Sequence, residues 1–177
     1  MHISSTFSNR SILEGDPSFL AKVLWQRLNP EKWPFSVDDL PVGSALVGGA
    51  VRDGLLNRLQ VRPDLDFVVP SDAIKISQDI SRRLGATSVV LDSQRDIARL
   101  VFDGWTIDFA KQMGSNLEED LWRRDFRLNA IAFRFDSPPR IFDPTGGLRD
   151  LKQKILVAVN EKNLLEDPLR TIRGLRL

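Results

Sequence analysis

The chain has 177 residues, 42% apolar and 28% charged, which suits one compact domain with or without a small appendage and excludes collagen-like, low-complexity and wholly disordered chains. No apolar run approaches the roughly 20 residues a bilayer span needs, Met1 to Arg10 has no apolar signal region, there is no cysteine, and the single histidine is His2; a cytoplasmic protein without membrane contact is expected, whose catalysis, if any, rests on carboxylates, arginines, backbone groups and metals. Net charge is only +1, yet residues 1–120 carry 13 basic against 17 acidic side chains and residues 121–177 carry 12 against 7, so the chain is polarised and its basic third suits either a phosphate ligand or a solvated surface.

Residues 1–43 read as an extension. Asp16-Pro17 is an N-cap followed by proline at the first helical position, and Phe19, Leu20, Val23, Leu24 and Leu28 make an apolar stripe at helical spacing. Pro30, Pro34 and Pro41 then punctuate the chain up to Gly43, and the compact unit is expected from Ser44. Ala45–Val47 reads as a strand broken by Gly48-Gly49, Ala50–Leu59 as a helix, Leu65–Val69 as a strand, and Asp72–Leu84 as a helix closed by Gly85. Strands are expected at Ser88–Leu91, Ile97–Phe102 and Trp105–Phe109, the last two joined by the hairpin dipeptide Asp103-Gly104. Leu117 to about Ala130 reads as a helix, Ile131–Phe135 as a strand, and Leu148–Val159 as a helical turn followed by a strand over Ile155–Val159. A last helix begins at Asp167-Pro168 and runs to Leu177. The sum is an α/β (α+β) architecture, a mixed sheet flanked by helices.

Several constellations could carry chemistry. Gly48-Gly49 between a strand and a helix lets backbone approach a ligand, with Arg52 in the first turn of that helix, although a tight structural turn gives the same residues. Asp64-Leu65-Asp66 places two carboxylates on one face of a strand with Leu65 turned to the core. Like charges side by side call for a cation, and magnesium, held by one or two carboxylates plus substrate phosphates, is the natural one. Asp108 interrupts another apolar strand; it completes a triad if the two strands are neighbours, or simply pairs with an arginine. Arg123-Arg124-Asp125-Phe126-Arg127-Leu128-Asn129-Ala130 is a wet surface or an anion site. Asp167, Arg170, Arg173 and Arg176 recur every three residues beside the apolar Leu165, Leu169, Ile172 and Leu175.

In order, Gly48-Gly49-Ala50-Val51-Arg52-Asp53, Asp64-Leu65-Asp66, Arg123-Arg124-Asp125-Phe126 with Asn129-Ala130, Asp143 with Gly146-Gly147 and Asp150-Leu151, and Glu166-Asp167-Pro168-Leu169-Arg170 with Arg173 and Arg176 resemble the head domain of the class II (bacterial-type) tRNA nucleotidyltransferase and poly(A) polymerase family. The resemblance covers about Leu46 to Leu177. It implies a polymerase-beta-like nucleotidyltransferase fold with a head over residues 44–160 and the start of a helical neck over 161–177. It also implies Mg2+ dependence and transfer of CMP and AMP from CTP and ATP to the 3′ end of tRNA, with a poly(A), CC-only or A-only enzyme as alternatives. Carried over by position, Asp64 and Asp66 are metal ligands and Gly49, Arg52 and Arg124 hold the triphosphate; the residue reading adds Asp108 as a third catalytic candidate and Gly48 as a further nucleotide contact. Asp167 and Arg170 read the base, Arg173 and Arg176 adding contacts. An Asp that only accepts and an Arg that only donates suit cytosine and adenine, which both offer an amino group beside a ring acceptor. Arg127 stands where the family usually has Thr, which leaves open a nucleotide-binding module that has lost turnover. A plain RNA-binding domain is disfavoured, because no aromatic stacking platform is evident.

Overall fold

The computed structural model describes residue 13 and residues 15–175; His2 and Arg176, and the expected end of the last helix at Leu177, lie outside them. A seven-stranded sheet is built from β1 (Ala45–Val47), β2 (Leu65–Val69), β3 (Thr87–Asp92), β4 (Ile97–Phe102), β5 (Trp105–Lys111), β6 (Ala132–Arg134) and β7 (Arg140–Phe142), in the order β3-β4-β5-β2-β1-β6-β7. Only β2 and β5 pair in parallel, so the sheet is mixed. The Asp103-Gly104 turn joins β4 to β5 with both residues at positive φ, 44° and 77°, as a two-residue hairpin turn requires.

The helices are α1 (Pro17–Leu28), α2 (Gly49–Leu55), α3 (Ala73–Leu84), α4 (Leu117–Trp122), α5 (Gly147–Gln153), α6 (Glu161–Glu166) and α7 (Pro168–Gly174). Their ends follow the capping signals. The Asp16 carboxylate accepts from the Ser18 and Phe19 N–H groups at 2.8 and 3.0 Å, and Asp167 caps α7 through the Leu169 N–H. Gly85 ends α3 in the left-handed conformation. At its other end α3 is capped from a distance, because the Asp96 carboxylate accepts from the Ala73 and Ile74 N–H groups.

One face of the sheet, with Leu46, Leu65, Phe67, Val69, Leu100, Ile107, Phe109 and Phe133, is buried under helices. Leu20, Leu24 and Leu28 of α1 and Trp33, Phe35 and Leu40 after it belong to that same core. Trp33 and Phe35 lie edge-on to Phe67 with ring centroids 5.6 and 5.7 Å apart, a favoured aromatic geometry. Arg27 of α1 donates to the Gly54 and Leu55 carbonyls at 2.8 and 2.9 Å, satisfying free C=O groups at the end of α2. The opposite face is covered only in part, where Ala45, Val47, Val68 and Ala132 pack with Leu117, Leu121 and Val159.

Three sequence expectations fail locally, the first being the helix expected over Ala50–Leu59, which ends at Leu55. The helix expected from Leu117 to about Ala130 stops at Trp122, and only a 3-10 turn, Arg127–Asn129, follows. Residues 125–127 instead run extended beside 157–159: the Arg127 N–H donates to the Val157 carbonyl and the Val159 N–H to that of Asp125. For the same reason the strand expected over Ile155–Val159 is reduced to one bridge, Phe126 to Ala158. Pairing across the chain wins over local helical preference there.

Candidate active site

The site forms where the second face of the sheet is left open. Strand register sets Val47 opposite Asp66, Asp66 opposite Asp108, and Asp108 opposite Arg99, so these four residues run in a row across β1, β2, β5 and β4 on one face. Leu65, between the two acids, is fully buried in the core, as the alternation requires. Asp64 is exposed at the mouth of β2, and Asp66 is half-buried.

The electrostatics are those of crowded carboxylates. The Asp66 carboxyl is pushed up from 3.8 to about 6, first by burial, then by the neighbouring Asp108 charge; Asp64 adds to the effect, while Arg124 and Arg99 oppose it. Asp66 therefore feels both Asp108 and Asp64, with Arg124 and Arg99 as the nearby cations. Both conditions set for Asp108 hold together: β2 and β5 are neighbours, and Asp108 pairs with an arginine. Arg99 grips it with both teeth, Nε to Oδ1 at 2.7 Å and Nη2 to Oδ2 at 2.8 Å, and that carboxylate holds the guanidinium above its ordinary pKa. Among the described residues no three acidic or histidine side chains are gathered closely enough to hold a metal unaided. Two carboxylates with substrate phosphates suffice for magnesium, however, and the oxygen-only donors Asp64 and Asp66 fit that hard ion.

The turn after β1 closes on the same spot. Gly48 has φ 72° and ψ −140°, a conformation L side chains rarely adopt, and a Cβ there would sit 3.0 Å from Asp66 Oδ2. Gly49 follows, and a Cβ on it would meet Arg52 Nη2 at 3.7 Å, which places the Arg52 guanidinium over the turn. That guanidinium is fixed on three sides: Nε and Nη2 donate to the two Asp53 oxygens at 2.8 and 2.9 Å, and Nη1 donates to Asn129 Oδ1 at 2.7 Å. Arg124 donates through Nε and Nη2 to Asp120 Oδ2, whose other oxygen accepts from the Met113 N–H.

Asp167, Arg170 and Arg173 lie on α7 and at its cap. Arg170 Nε is 3.5 Å from Asp167 Oδ2, so the pair expected to read a base faces itself here. Arg170 Nη1 also donates to the Arg123 carbonyl at 2.9 Å, and Arg173 Nη1 lies 3.5 Å from Asp125 Oδ2. The structure thus brings Gly48, Gly49, Asp64, Asp66 and Asp108 together with Arg52 and Arg124 nearby, and docks α7 on the segment that carries Arg124. Sequence reasoning does not single out Arg99, Asp53, Asp120 or Asn129 as individual site residues.

The fold and site have known counterparts. A "CC-adding tRNA nucleotidyltransferase" of Synechocystis sp. is 50% identical over 143 residues, 81% of this chain and 34% of that protein. An "A-adding tRNA nucleotidyltransferase" of Deinococcus radiodurans is 42% identical over 136 residues, 77% of this chain and 30% of that one. The chain thus spans about a third of the length of these relatives. Among solved structures, a Thermotoga maritima CCA-adding enzyme complexed with tRNA superposes with a TM-score of 0.67 at 29% identity, covering 96% of this chain and 40% of that one. The sheet and its flanking helices have the polymerase-beta-like nucleotidyltransferase fold. The family described as "Poly A polymerase head domain" matches residues 44–157, and to that family, within the class II tRNA nucleotidyltransferases, this chain belongs.

Proposed function

We propose that this chain is the catalytic head of a Mg2+-dependent RNA nucleotidyltransferase that transfers CMP and AMP from CTP and ATP to the 3′ end of tRNA, releasing pyrophosphate. One observation carries the reading: Asp66, opposite Asp108 and two residues after Asp64, feels both carboxylates and lies directly against the Gly48 turn. Residues 44–160 would form the head, residues 161–177 the start of a neck, and residues 1–43 an extension whose helix packs into the head's core. The relatives' printed names, CC-adding and A-adding, support an RNA-end substrate and leave the added sequence to experiment.

Asp64 and Asp66 would hold the metal. When bound, magnesium lowers the pKa of an attacking hydroxyl and neutralises charge building on the leaving phosphates. The chain's own residues do the rest. Gly48 presents bare backbone where a side chain would press on the Asp66 carboxylate, so a triphosphate can lie close to the acids. Arg52, oriented by Asp53 and Asn129, and Arg124, oriented by Asp120, supply fixed positive charge at negligible reorganisation cost. Arg99 fixes the Asp108 carboxylate on the open face of the sheet, where it can accept a further hydrogen bond from an incoming hydroxyl.

The test is incorporation of labelled CMP and AMP into tRNA lacking its CCA end, with Mg2+ and with Asp64→Ala as control. Transfer by the wild type and none by a folded Asp64→Ala supports the proposal; equal transfer by both rejects it. Product length separates CCA, CC-only, A-only and poly(A) addition. Calorimetric binding of Mg-ATP without transfer would instead identify a binding module.

A further inference from the structure

We infer that Asp125 and Asn129 form a hydrogen-bonded relay through which helix α7 sets the orientation of Arg52, making Asn129 a positioning residue for the triphosphate-binding turn. The inference rests on the function proposed above for its purpose, and on geometry alone for its existence.

The chain of contacts is continuous. Arg52 Nη1 donates to Asn129 Oδ1 at 2.7 Å. Asn129 Nδ2 donates to Asp125 Oδ1 at 3.3 Å, and that oxygen also accepts from the Phe126 N–H at 2.8 Å. The other oxygen, Oδ2, faces Arg173 Nη1 of α7 at 3.5 Å. Asp125 is buried, so these partners rather than water satisfy its oxygens. The Asn129 amide has a fixed sense: with Oδ1 taken by a cation that only donates and Nδ2 by a carboxylate that only accepts, it cannot flip without placing donor against donor and acceptor against acceptor.

The relay is anchored mechanically as well. The Arg170 guanidinium donates to the Arg123 carbonyl, and Asn163 Nδ2 donates to the carbonyls of Trp122 and Arg124 at 2.9 and 2.8 Å. Gly174 approaches the Phe126 ring so closely that a Cβ would lie 2.8 Å from its Cζ. A displacement of α7 therefore moves the segment bearing Asp125, and with it the acceptor that holds Arg52. Asp53 grips the guanidinium from its other edge, so the relay chooses among orientations and does not create the Arg52 site. A nucleotide base engaged at α7 and a triphosphate engaged at Arg52 would then be bound cooperatively.

The experiment uses the nucleotide-free, metal-free chain, so that direct contacts between Arg173 and nucleotide cannot contribute. The Arg52 Nε–H resonance, assigned by its loss in Arg52→Lys, is followed by NMR in Asn129→Ala, Arg173→Ala and the double variant. Arg173 is more than half exposed, so its removal opens no cavity in the core. Asn129→Ala is expected to shift the Arg52 signal, Arg173→Ala to shift it in the same direction although it does not touch Arg52, and the double variant to match Asn129→Ala. If Arg173→Ala leaves the signal in place, or if the two shifts add, the relay is overturned. Should the wild type bind no nucleotide, the proposed function fails while this readout still decides the relay.

Discussion

Replacing Asp66 by Asn should make the metal-free protein more stable at neutral pH, while abolishing transfer. The carboxyl titrates at about 6 instead of 3.8 because it is half-buried and lies beside Asp108 and Asp64. A pKa raised on folding means that the folded state binds the proton more tightly. Stability from this group is complete below the ordinary carboxylate value, and is lost as pH rises through about 6. At about 1.4 kcal/mol per unit, a shift of roughly two units corresponds to about 3 kcal/mol lost at neutral pH, an upper bound because Asp66 retains some contact with water. The amide keeps the shape and removes the charge. Urea denaturation in EDTA, at about pH 4 and about pH 7.5, should show the Asp66→Asn variant and wild type nearly equal at the lower pH and the variant ahead by about 2–3 kcal/mol at the higher. Added Mg2+ should then raise wild-type stability and leave the variant unmoved. A variant equally stable or weaker at neutral pH would refute the claim that Asp66 is held against its own electrostatics.

Other perturbations probe the turn, the core and the basic segment. Gly48→Ala forces a side chain into a φ of 72° against Asp66 Oδ2; a loss of about 1–3 kcal/mol in urea melts is expected, together with weaker Mg-ATP binding by calorimetry. Phe67→Ala removes the ring that touches Trp33, Phe35, Phe109 and Phe135 and should cost about 3–5 kcal/mol by the same method, with a milder result arguing against one shared core. In the basic segment, Arg124, Arg134, Arg140, Arg170 and Arg173 each have a carboxylate within 3.5 Å. Single-stranded RNA should accordingly bind this chain weakly, with a log K against log salt slope shallower than about −3, at roughly 0.7 per phosphate contact; a slope steeper than about −6 would contradict it.

Much of this site can be read from the sequence, and the rest fails for identifiable reasons. The strand limits Leu65–Val69 and Ile97–Phe102 and the caps Asp16, Gly85 and Asp167 follow from alternation and capping chemistry, which are local. Arg99 is also within reach: counting outward from the two-residue turn Asp103-Gly104 pairs Phe102 with Trp105 and, three steps on, Arg99 with Asp108. The parallel pairing that puts Asp66 beside Asp108 is not legible, since no turn fixes the register of strands separated by a crossover. Nor is the break at Trp122. The segment after it reads as helix-compatible, yet its backbone bonds go to residues 157–159, some thirty positions away. The Arg52, Asp53 and Asn129 cluster spans 77 positions between its members, and spacing carries no information at that range.

The charges gathered at the site also bear on the order in which the proposed cation and nucleotide would bind. Asp64, Asp66 and Asp108 face Arg99 and Arg124, three negative charges against two positive. Arg99 is already committed to Asp108 and Arg124 to Asp120, so a triphosphate alone would meet Asp66 and Asp64 with no cation between them, and repulsion would dominate at these low-dielectric separations. A divalent cation alone offsets the excess negative charge of Asp64, Asp66 and Asp108 beside Arg99, since Arg52 and Arg124 are already paired with Asp53 and Asp120. The proposed nucleotide would then meet a neutralised cluster instead of bare carboxylates. The raised Asp66 pKa records the cost of that crowding: the folded chain keeps a carboxylate where burial and the neighbouring Asp108 charge disfavour its ionised form, the electrostatic signature expected of the proposed cation site.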